Sequence, residues 1–136
     1  MNSANDIVQN MMHQDAFSQW LGIKVLQVGI WSSKIQMVVR KEMTNGFGIA
    51  HGGITYSFAD SALAFASHSY GNVAVSIETQ ISHIEPVRID DILTAVSLEV
   101  SKSAKLAVYE VSITNQKDIL VAHFKGTVYI KKDLHI

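Results

Sequence analysis

Cysteine is absent from the 136 residues. A disulfide framework, a cysteine-based zinc site and a thiol nucleophile are all excluded by that absence. Proline occurs once, at Pro86, so the chain offers few places where a strand or helix is forced to stop. An excess of one charge sign is also missing: 11 Lys and Arg stand against 12 Asp and Glu, a net charge of -1. Without a basic field there is nothing to draw in nucleic acid, and no nucleic-acid partner is expected. No apolar run is long enough to span a bilayer, because Ser, Asp, His or Lys interrupts each of them. Met1 to Asn10 lacks the basic-then-apolar plan of a signal peptide. A soluble cytoplasmic protein with no membrane contact is the expectation.

Apolar residues are plentiful, at 48% against 17% charged, which favours a packed core over disorder. The length suits one domain spanning residues 1–136. Ile7, Val8, Met11, Met12, Phe17 and Trp20 recur at helical intervals, predicting an N-terminal helix within residues 1–21 with Asn5 as its cap and Gly22 as its stop. Trp31, Ser33, Ile35, Met37 and Val39 alternate with mostly polar neighbours, the pattern of a half-buried strand, and Ile23 to Val28 is expected to pair with it. Residues 53–70 are rich in Ala, Ser, Leu and Phe, and Gly71 follows. A helix that is apolar or small on nearly every side is a buried one. Four strands are expected after it, with turns at Ser101–Lys105 and Asn115–Asp118. The class is therefore α+β, with an antiparallel sheet wrapped around a long central helix.

The junction before that helix reads Asn45-Gly46-Phe47-Gly48-Ile49-Ala50-His51-Gly52-Gly53, and Asp60 lies within the helix. A glycine pair at a helix start is either a turn and packing device or a place where bare N–H groups approach a ligand oxygen. The second use suits a carbonyl that gains negative charge during acyl transfer. Asp60 is either paired with a neighbour or kept for chemistry, since a lone carboxylate among apolar residues costs free energy. The glycines do not follow the dinucleotide-binding fingerprint, because His51 occupies the position of the next glycine. His51, His68 and His83 lack metal-ligand spacing, so no metal is expected.

His51-Gly52-Gly53, with Asn45 upstream and Ala59-Asp60 downstream, resembles the signature of the PaaI-type hotdog-fold acyl-CoA thioesterases. The likeness extends through Val75-Ser76, Pro86, Asp91-Ile92-Leu93 and Ala122-His123-Phe124-Lys125-Gly126-Thr127, from about Trp20 to Tyr129. The resemblance implies a hotdog fold, an acyl-CoA substrate, no cofactor, and a homodimer that usually pairs into a dimer of dimers. It further implies that Gly52 offers its N–H to the thioester carbonyl and that Asn45 positions substrate or water. Asp60 would act as general base or nucleophile with Ser76 in support. His51, chiefly shaping the loop, and Gly53 are expected beside the substrate. Related 4-hydroxybenzoyl-CoA enzymes carry Glu at the base position and Thr one turn later, where this chain has Asp60 and Ala64. Lys102 and Lys105 flank a turn that either meets CoA phosphates or simply faces solvent.

At about 1.5 Å per residue, Gly52 and Asp60 are roughly 12 Å apart along one helix. They cannot reach one carbonyl together, so the chemistry requires a second subunit. Three rivals remain: a non-catalytic hotdog domain that binds acyl-CoA or an aromatic ligand, a hotdog dehydratase built on a catalytic His, and a structural oligomer. Phe47, Tyr56, Phe58, Tyr70 and His83 are candidates to line an acyl pocket, and core packing explains them equally well.

Overall fold

The computed structural model describes residues 3–135. The N-terminal segment, expected as one helix, is two: α1 (Ala4–Gln14) and α2 (Ala16–Leu21). Ser3 rather than Asn5 caps α1. The Asp6 N–H donates to Ser3 Oγ and the Ser3 N–H donates back to Asp6 Oδ2, a reciprocal capping box. Asp15 causes the break. Its carboxylate accepts from the Ser18 N–H at 2.9 Å and from Ser18 Oγ at 2.6 Å, satisfying the start of a new helix in place of continuing the old one. Gly22 ends α2 at φ 75°, a left-handed conformation that glycine adopts without a Cβ penalty.

Two strands follow, β1 (Lys24–Gly29) and β2 (Ser32–Val38), and a 3₁₀ turn at Lys41–Met43 leads to α3 (Gly52–His68). The remaining strands are β3 (Asn72–His83), β4 (Ile92–Lys102), β5 (Leu106–Thr114) and β6 (Leu120–Leu134). They form one antiparallel sheet in the order β1-β2-β4-β5-β6-β3. β4, β5 and β6 are sequential neighbours, as short turns dictate. β3 is not beside β4. It leaves α3 for the far edge and pairs along its length with β6, and the Pro86 loop carries the chain back across to β4.

The reason lies in α3. Phe58, Ala59, Ala62, Leu63, Phe65 and Ala66 are all at or below 1% exposure, and together they occupy most of its circumference. α3 packs against all six strands, so the sheet curls around it in the hotdog arrangement. Inner residues of the strands, among them Ile35, Met37, Leu93, Val111, Ile113 and Phe124, complete the core. A stripe through Gly53, Ser57, Asp60, Ala64 and His68, spaced by three or four residues as one helical face must be, stays partly open, with Tyr56 and Ser61 at its margins. The Ser18 hydroxyl meets Ser61 at 2.8 Å on the edge of that stripe. Among the described residues no helix is long and apolar enough to cross a membrane.

Gly126 on β6 marks the tightest approach. A Cβ there would lie 2.6 Å from Cδ2 of the buried Leu63, whose side chain would have to shift to admit it. Gly126→Ala is expected to destabilise the fold by about 1–3 kcal/mol through overpacking. Combining it with Leu63→Ala should cost less than the sum of the two single changes, measured by denaturant unfolding of all four proteins. Strict additivity would contradict this contact.

Candidate active site

Gly52 is the first residue of α3, and His51 is its N-cap. The His51 Nδ1 accepts from the Gly53 N–H at 2.8 Å. The Gly53 N–H is therefore occupied by the protein itself, and a Cβ on Gly53 would stand 3.1 Å from that same nitrogen. The Gly52 N–H, by contrast, meets no acceptor among the described residues. Of the two glycines expected beside a substrate, one has an N–H to offer and the other does not. The positive end of a long helix stands behind that free N–H.

A cleft of about 320 Å³ opens at this point, lined by Asn45, Gly52, Thr55, His83, Glu85 and Pro86 among others. Asn45 is placed by its own loop. Its Oδ1 accepts from the Phe47 N–H at 2.9 Å, its N–H donates to Ile49 O at 2.8 Å, and its carbonyl accepts from the Gly48 N–H at 3.1 Å. With the side-chain oxygen engaged, the amide nitrogen remains as the donor available to a ligand. Gly48 at φ 75° permits the turn.

Asp60 and Ser76 line a different cavity, of about 220 Å³, together with Leu63, Ala64, Ser67, Ala74, Val75 and Val128. Burial pushes the Asp60 carboxyl above the usual aspartate range, and no neighbouring charge or hydrogen bond among the described residues draws it back. Ser76 faces this cavity from the exposed edge strand β3, but no hydrogen bond joins it to Asp60. One chain thus brings Asn45 and Gly52 together, and Asp60 and Ser76 together, in two separate hollows.

His51 and Gly53 line a third cleft with Phe17, Trp20, Glu42 and Ile54. Lys102 lies elsewhere, its Nζ 4.9 Å from the centre of the Tyr70 ring beyond the C-terminal end of α3. The Lys105 carbonyl accepts from the Ile130 N–H at 2.7 Å. Neither lysine borders the Gly52 cleft or the Asp60 cavity. Of the aromatic candidates, Phe58 is core, Phe47 is 90% exposed, and Tyr56 is tied by its hydroxyl to Thr79; His83 alone lines the Gly52 cleft. Thr55 and Glu85 escaped the sequence reading. Thr55 was within reach of it, since a residue three beyond Gly52 shares its helix face.

A single antiparallel sheet wrapped around one central helix places the chain in the hotdog class. The chain belongs to the thioesterase superfamily, which matches residues 47–122, a span holding Gly52, Asp60 and Ser76 and beginning just past Asn45. It is accordingly a thioester hydrolase. The acyl-coenzyme A thioesterase PaaI of Escherichia coli K12 is 34% identical, over 85% of this chain and 83% of its own. A proposed esterase of Archaeoglobus fulgidus is 36% identical, over 88% of this chain and 77% of its own. The solved structure of the E. coli PaaI protein superposes with a TM-score of 0.94 at 30% identity, covering 96% of this chain and 95% of that one.

The Asp60 environment has a consequence for stability. A carboxyl whose folded pKa is raised binds its proton more tightly in the folded state, so its contribution to stability is full below the ordinary aspartate pKa and is lost as pH rises through the raised value. At neutral pH the charge is therefore a burden. Asp60→Asn should melt at a higher temperature than the parent at pH 7, with the gain shrinking as the pH is lowered through the raised pKa and gone below about 4. An unchanged or lower melting temperature at pH 7 would show that the carboxylate has a stabilising partner.

Proposed function

We propose that this protein hydrolyses acyl-CoA thioesters in a homodimer whose two sites are each shared between subunits. The observation that carries this reading is the division of the polar set: Asn45 and Gly52 border one cleft, Asp60 and Ser76 another. Residues 52 and 60 of one straight helix are roughly 12 Å apart. A two-fold axis that sets two α3 helices antiparallel joins the glycine end of one to the aspartate of the other.

The edge strand supports such an axis. β3 is an edge strand with no strand beyond it among the described residues, and Val75 and Ile77 on it are 48% and 60% exposed. An exposed apolar edge is a template for pairing with another strand. Ser76 lies between those two residues, so pairing there sets the Asp60 cavity close to the junction. Val38 and Leu98, exposed on the outer face of the sheet, support a further pairing of dimers.

In the assembled site the thioester carbonyl accepts from the Gly52 N–H, and the Asn45 amide orients the substrate or the water. Charge that develops on the carbonyl oxygen is stabilised by this fixed donor and by the helix dipole behind it. Asp60 of the partner subunit either takes a proton from water as it adds to the carbonyl carbon or attacks that carbon itself. In the first route the C–S bond breaks as the CoA thiolate leaves and takes up the proton held by Asp60; in the second the thiolate leaves a mixed anhydride on Asp60, which water hydrolyses to the free acid and the restored carboxylate. Both require the carboxylate ionised at the outset. Substrates are acyl-CoAs with aryl or medium-chain groups, and the name of the E. coli relative supports the CoA assignment.

A panel of phenylacetyl-, benzoyl- and straight-chain acyl-CoAs, followed by thiol release, tests this. Asp60→Asn should lose about 10²–10⁴-fold in kcat for the preferred substrate. Because Asp60 must be ionised and its pKa is raised, kcat/KM should fall in acid along a limb centred above the usual aspartate range. Hydrolysis by Asp60→Asn at the parent rate would sink the assignment and favour a domain that only binds such ligands.

A further inference from the structure

The Gly52 cleft contains a second polar pair with no part in the scheme above. His83 closes β3, and its ring lies over Gly52: a Cβ on that glycine would stand 3.2 Å from His83 Nε2 and 3.4 Å from Cε1. The ring is not there to fill the core, since His83 is exposed. It is held from behind by the buried Thr55, whose Oγ1 lies 3.2 Å from His83 Nδ1 and 3.1 Å from Gly52 O. Gly52, Thr55 and His83 all line the same cleft as Asn45.

The Thr55 hydroxyl has one proton and two acceptors within reach. When it donates to Gly52 O, His83 Nδ1–H donates to the hydroxyl, and Nε2 presents a lone pair to the cleft. When it donates to His83 Nδ1, the ring proton sits on Nε2 and points into the cleft as a donor. The two neutral forms interchange through solvent in an open cleft, and a negatively charged oxygen at the Gly52 N–H selects the second.

We propose that His83, anchored by Thr55, supplies a second hydrogen bond to the thioester carbonyl polarised at Gly52. This rests on the acyl-CoA reading for the identity of the carbonyl. It also gives Gly52 a second reason to lack a side chain: any Cβ would press on the ring that shares the task. No proton is transferred to product in this role. Nε2–H strengthens its bond as charge builds on the oxygen, so the contribution falls on kcat more than on KM.

The test uses His83→Phe, which keeps a ring but no donor, His83→Gln, which restores an N–H near the Nε2 position, and Thr55→Val, which removes the anchor. Each is measured for acyl-CoA turnover and for affinity toward two unreactive CoA analogues. One is a ketone with methylene in place of sulfur; the other is an S-alkyl thioether without a carbonyl. His83→Phe should lose about 10- to 100-fold in kcat with KM little changed, less than a fully enclosed oxyanion donor because the cleft is open. Thr55→Val should fall between it and the parent, and His83→Gln should recover most of the loss. The parent should bind the ketone more tightly than the thioether, and His83→Phe should erase that margin.

Full turnover by His83→Phe, or equal weakening of both analogues, would overturn the proposal and leave His83 as a wall of the cleft. A parent that does not favour the ketone would overturn it too. A parent that favours the ketone through His83 but hydrolyses no thioester would leave this contact standing and remove the acyl-CoA hydrolase reading. If His83→Phe misfolds by circular dichroism, His83→Gln and Thr55→Val decide by the same ketone margin.

Discussion

Burying α3 is the constraint on which the rest of the structure depends. A helix with Phe, Leu and Ala around most of its circumference exposes apolar surface in every direction, and one flat sheet face cannot cover it. At about 25 cal/mol per Å² of apolar surface, leaving even one flank open would remove several kcal/mol from a small domain. The sheet therefore curls until all six strands touch the helix. This also explains why β3 leaves its sequence neighbour β4 and closes the far side against β6.

The same wrapping decides where polar chemistry is tolerated. On α3 the N-terminus and one stripe remain accessible, and Gly52 and Asp60 occupy those two places. At the helix start the Gly52 N–H meets no acceptor among the described residues, while the His51 ring takes up the next one. On the stripe the chain keeps Asp60, desolvated and without a compensating partner among the described residues. These two features sit too far apart to serve one reacting carbonyl. On the proposed reading, the free edge of β3 resolves the conflict by making the second subunit part of the chemistry.

Much of this was legible in the residues. The composition of residues 53–70 points to a buried helix, alternation marks the strands, and the lone Asp60 stands out because its neighbours are small or apolar. The spacing along one helix already separates Gly52 from Asp60. Other features were hidden because they depend on which acceptor wins a local competition. Asp15 breaks the first helix because its carboxylate outbids the helical carbonyls for the Ser18 N–H. His51 takes the Gly53 N–H, an outcome that a run of His-Gly-Gly does not specify. The crossing of β3 to the far edge was hidden as well, because strand order follows the shape of the core and not the order of the chain. The packing of His83 over Gly52 joins residues about thirty apart, and no periodicity records it.

The central claim is that one chain holds halves of two sites, and mixing inactive variants tests it most directly. Asn45→Ala and Asp60→Asn each disable one half. When the two are unfolded together and refolded as a mixture, half of the dimers pair at random into hybrids. Each hybrid regains one intact site, from the unaltered Asn45 and Gly52 of one subunit and the unaltered Asp60 of the other. The account predicts that acyl-CoA hydrolysis returns to about one quarter of the parent activity, although neither variant alone approaches it. A mixture no more active than the average of its two components would contradict it and confine the whole site to a single chain.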